Sequence, residues 1–422
     1  MQVDAERLRA DIEATGEFGR VPTDEGWGRT VRCGTEANRE AREYLVERLR
    51  DAGLTVAVDA VGNVAGRWDP DSADPDAAPV AVGSHLDSVP EGGIFDGPLG
   101  VYAALETVRA MQDAGVEAER PVVVVSFTEE EGGRFGDGLL GSSVAAGERS
   151  VADAIALADD DGTTLGDALD DIDFRGEGRL DASEWDAWYE LHIEQDTRLE
   201  SAGVPVGVVT TITGITHCHV EILGEANHAG ATPMDQRTDA LAAASEFVLD
   251  VEATATEVVA EDSETAVGTV GSATVSPNAT NVVPGRVELG VDVRDVTREA
   301  METIVESARA SLSVLAADRG VETSFERPFD LDPTAMSDRL RSAAHDAGDR
   351  AGVETIDLHS GAAHDTMHVA SVTDACLLFA PSEDGISHNP REWTDWADCA
   401  TATRVLAGAV ADAAGGRPAG GT

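Results

Sequence analysis

The chain has 422 residues, 80 of them Asp or Glu against 30 Lys or Arg, which gives a formal net charge of −50. All 30 basic residues are arginine, and so one-sided a surface repels nucleic-acid backbones and anionic lipid headgroups, both of which need Lys or Arg to neutralise phosphate. Disorder is excluded as well, because 42% hydrophobic residues and 43 glycines leave enough apolar content for a core.

The charge therefore fits a surface that stays hydrated in concentrated salt, a halophilic habit, since the Debye length near 1 M is only about 3 Å. The opening residues MQVDAERLRADIEATGEFG are charged and amphipathic, without the basic and apolar regions of a secretory signal. No apolar run approaches the roughly 18 residues that span a bilayer, so a cytoplasmic protein is expected. A length of 422 suits two or three domains. Cys33, Cys218, Cys376 and Cys399 form no CxxC pair, which reads as free thiols rather than a disulfide framework or a thiolate zinc site.

In chain order, residues 36–52 repeat apolar positions at Ala41, Leu45 and Leu49 and end before Gly53, the pattern of an amphipathic helix. Apolar runs at 54–58, 80–82 and 121–127 read as strands, PVVVVSF as one buried on both faces, with a helix over 100–114 between the last two. Strands alternating with helices predict an α/β layer with a mostly parallel sheet and flanking helices. An Asp-rich stretch spans 158–181. After about Thr211 the texture changes to strand, helix (238–252), strands (266–275 and 286–294) and helix (298–317), a two-layer α+β arrangement. From about Leu331 the α/β texture returns and runs to a Gly-rich end expected to fray. The expected organisation is a catalytic domain, 1–211 and 330–422, interrupted by an inserted dimerisation or lid domain, 212–329.

Candidate chemistry lies where apolar strands end, since open α/β sheets place their sites beyond the carboxyl ends of their strands. His85 stands in AVGSHLDSVP, and Asp96 follows in GGIFDGPLG. Glu129, Glu130 and Glu131 follow PVVVVSF. Acidic runs also arise as solvated faces, but adjacent carboxylates in a crevice repel unless a cation or proton relieves them, which suits a metal ligand beside a general base. His192 in WYELHIEQ and His388 in SEDGISHNPREW complete a set of imidazoles and carboxylates without thiolate, the donors of hydrolytic zinc, manganese or cobalt sites.

The motifs GSHLDSVPEGGIFDGPLG, TEEEGGRF, LHIEQ, EANHAGATPMDQRTDAL, NATNVVPG with DVRD, SGAAHD and GISHNPRE carry a resemblance over nearly the whole chain. The sequence resembles the N-carbamoyl-L-amino acid hydrolase, β-ureidopropionase and allantoate amidohydrolase branch of the dinuclear metal-dependent amidohydrolases related to aminoacylases. That resemblance implies two divalent ions per subunit, zinc or manganese, cobalt or nickel, held by His85, Glu131, His192 and His388 with Asp96 bridging, and Glu130 as general base. It implies substrate contacts at Gln195, Asn281, Arg294 and His364, with Arg294 the carboxylate clamp. It also implies a homodimer in which His228 acts across the interface on the oxyanion. One departure is Ala363 in SGAAHD, where the family usually has glycine with its amide against the substrate carboxylate.

The activity implied is cleavage of the carbamoyl C–N bond of an N-carbamoyl-L-amino acid to amino acid, ammonia and carbon dioxide. Allantoate amidohydrolase, a dipeptidase or aminoacylase, and an inactive substrate-binding relative are the alternatives, the last disfavoured by the full ligand set. Two further motifs are set aside. DDIDFRGEGRLDA has an EF-hand look at Asp171, Asp173 and Gly176, but Arg175 and Ala182 occupy ligand positions. His217 and His219 in HCH share one face of a strand without a partner ligand nearby, and read as an ordinary sheet face.

Overall fold

The computed structural model describes residues 1–136 and 138–418; the glycine-rich end from residue 419, where fraying is expected, lies outside them. The backbone divides into two compact units. One comprises residues 1–210, 335–358 and those from His364 on; the other comprises 211–334 with 359–363.

The first unit is built on a nine-stranded sheet. Its order is Thr55–Val58, Val64–Trp68, Val122–Phe127, Val80–His85, Ala187–Ile193, Ala375–Ala380, Val206–Ile212 and Thr334–Ala335, with Thr355–Ser360 paired to Val206–Ile212. The four central strands run parallel, and antiparallel pairings flank them on both sides. All four are buried at every position, as expected of strands covered on both faces, and each fully buried Val or Leu contributes on the order of 1.5–3 kcal/mol. The helix Pro98–Asp113 packs against Val80–His85 and Ala187–Ile193 and is buried from Pro98 to Met111. Helix Glu36–Asp51 is capped by the Thr35 side chain and buries Ala41, Leu45 and Leu49, the stripe its spacing predicts.

The second unit is a four-stranded antiparallel sheet, ordered Val267–Ser276, Arg286–Asp295, Gly214–Leu223 and Glu322–Leu331. Helices Ala240–Glu261 and Arg298–Arg319 close one face over Val220, Ile222, Val287, Leu289, Val291 and Val293. The first helix runs nine residues beyond the expected end at 252. The β-branched run VEATATEVVA looks strand-like, yet Val251, Ala255 and Val258 continue the buried stripe at helical spacing.

All four cysteines are buried and free; burial lifts the Cys218 thiol to about 11 and the Cys376 thiol to about 12. The EF-hand-like segment is the short helix Leu165–Asp171 followed by a turn in which Arg175 donates to Asp170 at 2.7 Å. No helix of the described residues is long and apolar enough to cross a membrane.

Candidate metal centre

The ends of the four parallel strands deliver the site. His85 is the last residue of Val80–His85, Glu129–Glu131 follow Val122–Phe127, His192 lies near the end of Ala187–Ile193, and His388 sits in the loop after Ala375–Ala380. Asp96 enters from the turn before helix Pro98–Asp113. Among the described residues, the groups able to hold a metal ion are His85/Asp96/His192, His85/Glu130/Glu131 and Asp96/Glu131/His388, so all three belong to one cluster.

Asp96 organises the cluster through both of its oxygens. Its Oδ1 lies 3.5 Å from His85 Nε2 and 3.2 Å from His192 Nε2. Its Oδ2 lies 3.4 Å from His388 Nε2, which is also 3.4 Å from Glu131 Oε2. Glu130 Oε2 stands 3.6 Å from His85 Nε2. Donors held at 2.0–2.2 Å round a tetrahedral cation are roughly 3.3–3.6 Å apart, close to these separations. The imidazoles are also turned correctly: His85 Nδ1 faces the Asp87 carbonyl at 3.2 Å and His192 Nδ1 the Ile193 carbonyl at 3.0 Å, which places the Nδ1 proton and leaves the Nε2 lone pair toward Asp96. His85 Nε2 is buried without a hydrogen-bond partner, as a ligand atom would be. The donor set thus fits divalent cations.

The electrostatics describe the same demand. Burial raises Glu130 well above the usual carboxylate range, His85 opposes this, and Glu131, Asp365 and Asp87 add to it. Burial and then Asp96 lift Glu131 to about 7. Burial works upward at Asp96 too, but His192, His388 and His85 overcome it and hold Asp96 well below its ordinary value. At His85 burial acts downward, and the carboxylates Glu130, Asp96, Asp87 and Glu131 outweigh it. The hydrogen bond to Asp96 heads the causes that raise His388 to about 9. Without a cation, Glu130 and Glu131 are pushed toward keeping protons and His85, His192 and His388 toward gaining them, while Asp96 stays ionised, a need for positive charge that cations would meet.

Several residues that sequence reasoning passed over build this geometry. Asp87 Oδ2 accepts from the Glu131 amide at 3.1 Å, which ties the loop after one strand to the loop after the next. Glu392 Oε1 accepts from the amides of Phe95 and Asp96 at 2.9 and 3.0 Å, so the Asp96 turn hangs on a buried carboxylate from SHNPRE. Ser387 Oγ donates to Asp96 Oδ2 at 2.8 Å. Arg29, wholly buried, donates to the carbonyls of Gly93 and Leu86 at 3.1 and 3.2 Å and so joins the two ligand-bearing segments. Asp87, two residues after His85 at a strand end, was the most visible of them. Glu129, Gln195 and His388 all have φ between 54° and 59°, left-handed conformations that cost non-glycine residues about 1–3 kcal/mol and gather at functional sites.

Of the other candidates, Gln195 Nε2 donates to Asp96 Oδ2 at 3.0 Å, and the buried His364 ring packs edge-on to His192 with centroids 4.6 Å apart. Burial, then His192, pushes the His364 pKa well down. His228, Asn281, Arg294 and Ala363 belong to the second unit. His228 pairs with Val282 in a short two-stranded antiparallel ladder, and the Ala229 amide donates to the Asn281 carbonyl at 2.9 Å. Arg294 is held by Asp292 and by the Gly361 carbonyl. Ala363 is half-buried with an ordinary negative φ.

Relatives with the same architecture exist. The chain is 39% identical to the N-carbamoyl-L-amino acid amidohydrolase of Geobacillus stearothermophilus over 96% of its own length and 97% of that protein. It is 33% identical to the allantoate amidohydrolase of Bacillus subtilis, over 87% of this chain and 88% of that one. The crystal structure of a hydantoinase/carbamoylase family amidase from Burkholderia multivorans superposes with a TM-score of 0.91 at 36% identity, covering 98% of each chain. Residues 81–412, which include every ligand candidate from His85 to His388, match the model of peptidase family M20/M25/M40. The fold, the strand-end donor cluster and these likenesses agree, and the chain belongs to peptidase family M20/M25/M40.

Proposed function

We propose that the protein is a metal-dependent amidohydrolase that cleaves the carbamoyl C–N bond of N-carbamoyl-L-amino acids, releasing the amino acid, ammonia and carbon dioxide. The observation that carries the reading is Asp96, whose two oxygens face two separate donor pairs, His85 with His192 and His388 with Glu131, with Glu130 beside them. This supports two divalent ions per subunit, zinc, manganese, cobalt or nickel. When bound, such ions supply Lewis acidity toward a carbonyl and acidify water.

The chain's own groups supply the rest. Glu130, whose burial favours holding a proton, takes one from the attacking water and returns it to the departing amino nitrogen. Gln195 Oε1, buried without a partner, is an acceptor for a carbamoyl N–H. Arg294 and Asn281 bind the substrate carboxylate, and His364 the carbonyl side. Ala363 adds a methyl where the family glycine leaves space, which trims the substrates accepted.

His228 comes from a second copy of the chain and donates to the oxyanion. Its Nδ1 accepts from the Gly230 and Ala231 amides at 3.0 and 3.2 Å, so the neutral ring carries its proton on Nε2 and presents a donor.

The test is ammonia release from the metal-loaded enzyme across N-carbamoyl-L-α-amino acids, N-carbamoyl-β-alanine, allantoate and dipeptides. Turnover of the first class, lost on chelation and regained with metal, is expected. Preference for allantoate would move the assignment to the activity named for the Bacillus subtilis relative, and hydrolysis of dipeptides alone would overturn it.

A further inference from the structure

We propose that Asp292 and His217 are positioning residues that hold Arg294 in the orientation with which it grips a substrate carboxylate, an inference that rests on the carboxylate-clamp reading of Arg294. The strand Arg286–Asp295 alternates strictly, with Val287, Leu289, Val291 and Val293 buried against the two helices. Asp292 and Arg294, two residues apart, therefore share the opposite face. The register places Asp292 directly across from His217, and His217 across from Phe329 on the next strand.

On that face the side chains form a chain of contacts. Asp292 takes the Arg294 guanidinium side-on: Nε donates to Oδ1 at 2.9 Å and Nη2 to Oδ2 at 3.0 Å. Nη1 donates to the Gly361 carbonyl at 3.0 Å. His217 Nε2 lies 3.1 Å from Asp292 Oδ2, and its ring stacks on Phe329 with centroids 5.1 Å apart and planes 27° apart. Phe329 thus sets the imidazole plane, the imidazole fixes the carboxylate, and the carboxylate fixes the guanidinium.

The hydrogen-bond count shows what this arrangement leaves available. A guanidinium has five N–H bonds; Asp292 takes the Nε–H and one on Nη2, and Gly361 takes one on Nη1. One N–H on each terminal nitrogen is left, so both terminal nitrogens can still donate to an incoming carboxylate. The alternative is a plain surface ion pair, worth about 0–1 kcal/mol to stability. Arg298 and Arg327 show that pattern, both converging on Asp330 and Glu302. Arg294 differs in meeting a single carboxylate along its Nε–Nη2 edge, one that is itself held by a stacked imidazole, with the Gly361 carbonyl on Nη1. In a chain with 80 acidic residues, an unrestrained arginine has many competing partners, so the restraint keeps the remaining N–H groups for substrate.

The test measures KM and kcat separately for Arg294→Ala, Asp292→Asn, His217→Ala and His217→Gln, with metal content and melting temperature for each. Two substrates are used: an N-carbamoyl-L-amino acid and its α-carboxamide analogue, which lacks the anion. Asp292→Asn is expected to raise KM for the carboxylate substrate about tenfold, the scale of one charge-assisted hydrogen bond, with kcat, metal content and KM for the carboxamide little changed. His217→Ala is expected to raise the same KM about threefold, and His217→Gln, which can still donate to Asp292, to restore it. If Arg294→Ala raises KM for the carboxylate substrate while Asp292→Asn and His217→Ala do not, the positioning role is overturned and the clamp survives. An unchanged KM in Arg294→Ala overturns the clamp itself. Equal losses on both substrates, or loss of metal, also overturn the proposal, because a structural defect has no reason to follow the carboxylate.

Discussion

Glu129, Glu130 and Glu131 are consecutive, and each is turned to a different task. Glu129, with a left-handed φ, folds its carboxylate back onto the amides of Arg134 and Phe135 and holds the glycine-rich loop. Glu131 is anchored by the Val89 amide at 3.3 Å and reaches His388. Glu130 is left facing His85, raised in pKa by burial first, which suits a group that must accept a proton and hold it. Glu130→Gln preserves shape and removes basicity, so turnover should fall about 10²–10⁴-fold, the usual worth of general-base catalysis. Metal content measured by elemental analysis should stay at the wild-type value; a variant that keeps its rate would end the base assignment. Strand-end position and chemical type made His85, His192, His388 and the Glu pair legible in the sequence. Glu392 was not, because it works on backbone amides 296 and 297 positions away and no local pattern encodes such a contact. Arg29 was hidden differently: in a chain with 30 arginines it reads as one more surface counter-ion, yet it is wholly buried.

At the scale of elements, the site depends on how the Asp96 turn enters the helix Pro98–Asp113. Gly97 joins them at φ 81°, and a Cβ there would stand 2.6 Å from His85 Cε1 and Nδ1. Pro98 then starts the helix with a pre-set φ at a position whose amide has no helical partner. Gly53 offers a control, since it has nearly the same φ of 80° but nothing within 4 Å of its would-be Cβ. Gly53→Ala should lose about 1–2 kcal/mol from its positive φ alone, and Gly97→Ala at least as much, since φ 81° with ψ −58° lies outside the left-handed helical region in one that side chains rarely adopt. Only Gly97→Ala should also displace the His85 ring and weaken metal binding, read by titrating metal into each apo variant. Equal affinities in the two variants would show that the close approach to His85 does not matter. The glycine-proline punctuation was readable; the reason for it was not, because the clash is with a residue on a neighbouring strand. In the second unit, the strand Glu322–Leu331 completes the sheet beside Gly214–Leu223. Its alternating pattern of exposure lacks the continuous apolar run that marked the central strands, which is why it was harder to read.

For the whole molecule the question is what a charge of −50 does to stability. Thirty arginines can neutralise at most thirty of the 80 carboxylates, and several spend themselves on shared partners: Arg298 meets Glu302, Asp330 and Asp332, and Arg39 meets Glu36 and Glu43. Surface pairs of this kind add about 0–1 kcal/mol each, which cannot offset long-range repulsion among fifty uncompensated charges. That repulsion acts over a Debye length of about 30 Å at 0.01 M salt and about 3 Å at 1 M, so salt relieves the folded state of most of it, at the loss only of surface pairs that add little. The buried cluster round Asp96 stands apart from this balance, because its charges are screened far less by salt and are met by protons or cations. We therefore expect the melting temperature and activity to rise together from dilute buffer into molar potassium chloride. At low salt the protein should unfold globally, with metal lost as a consequence. Activity that falls at low salt while the melting temperature holds would place the effect at the site instead. Full activity and an unchanged melting temperature in dilute buffer would refute the salt-adapted reading of the surface and leave the catalytic assignment untouched.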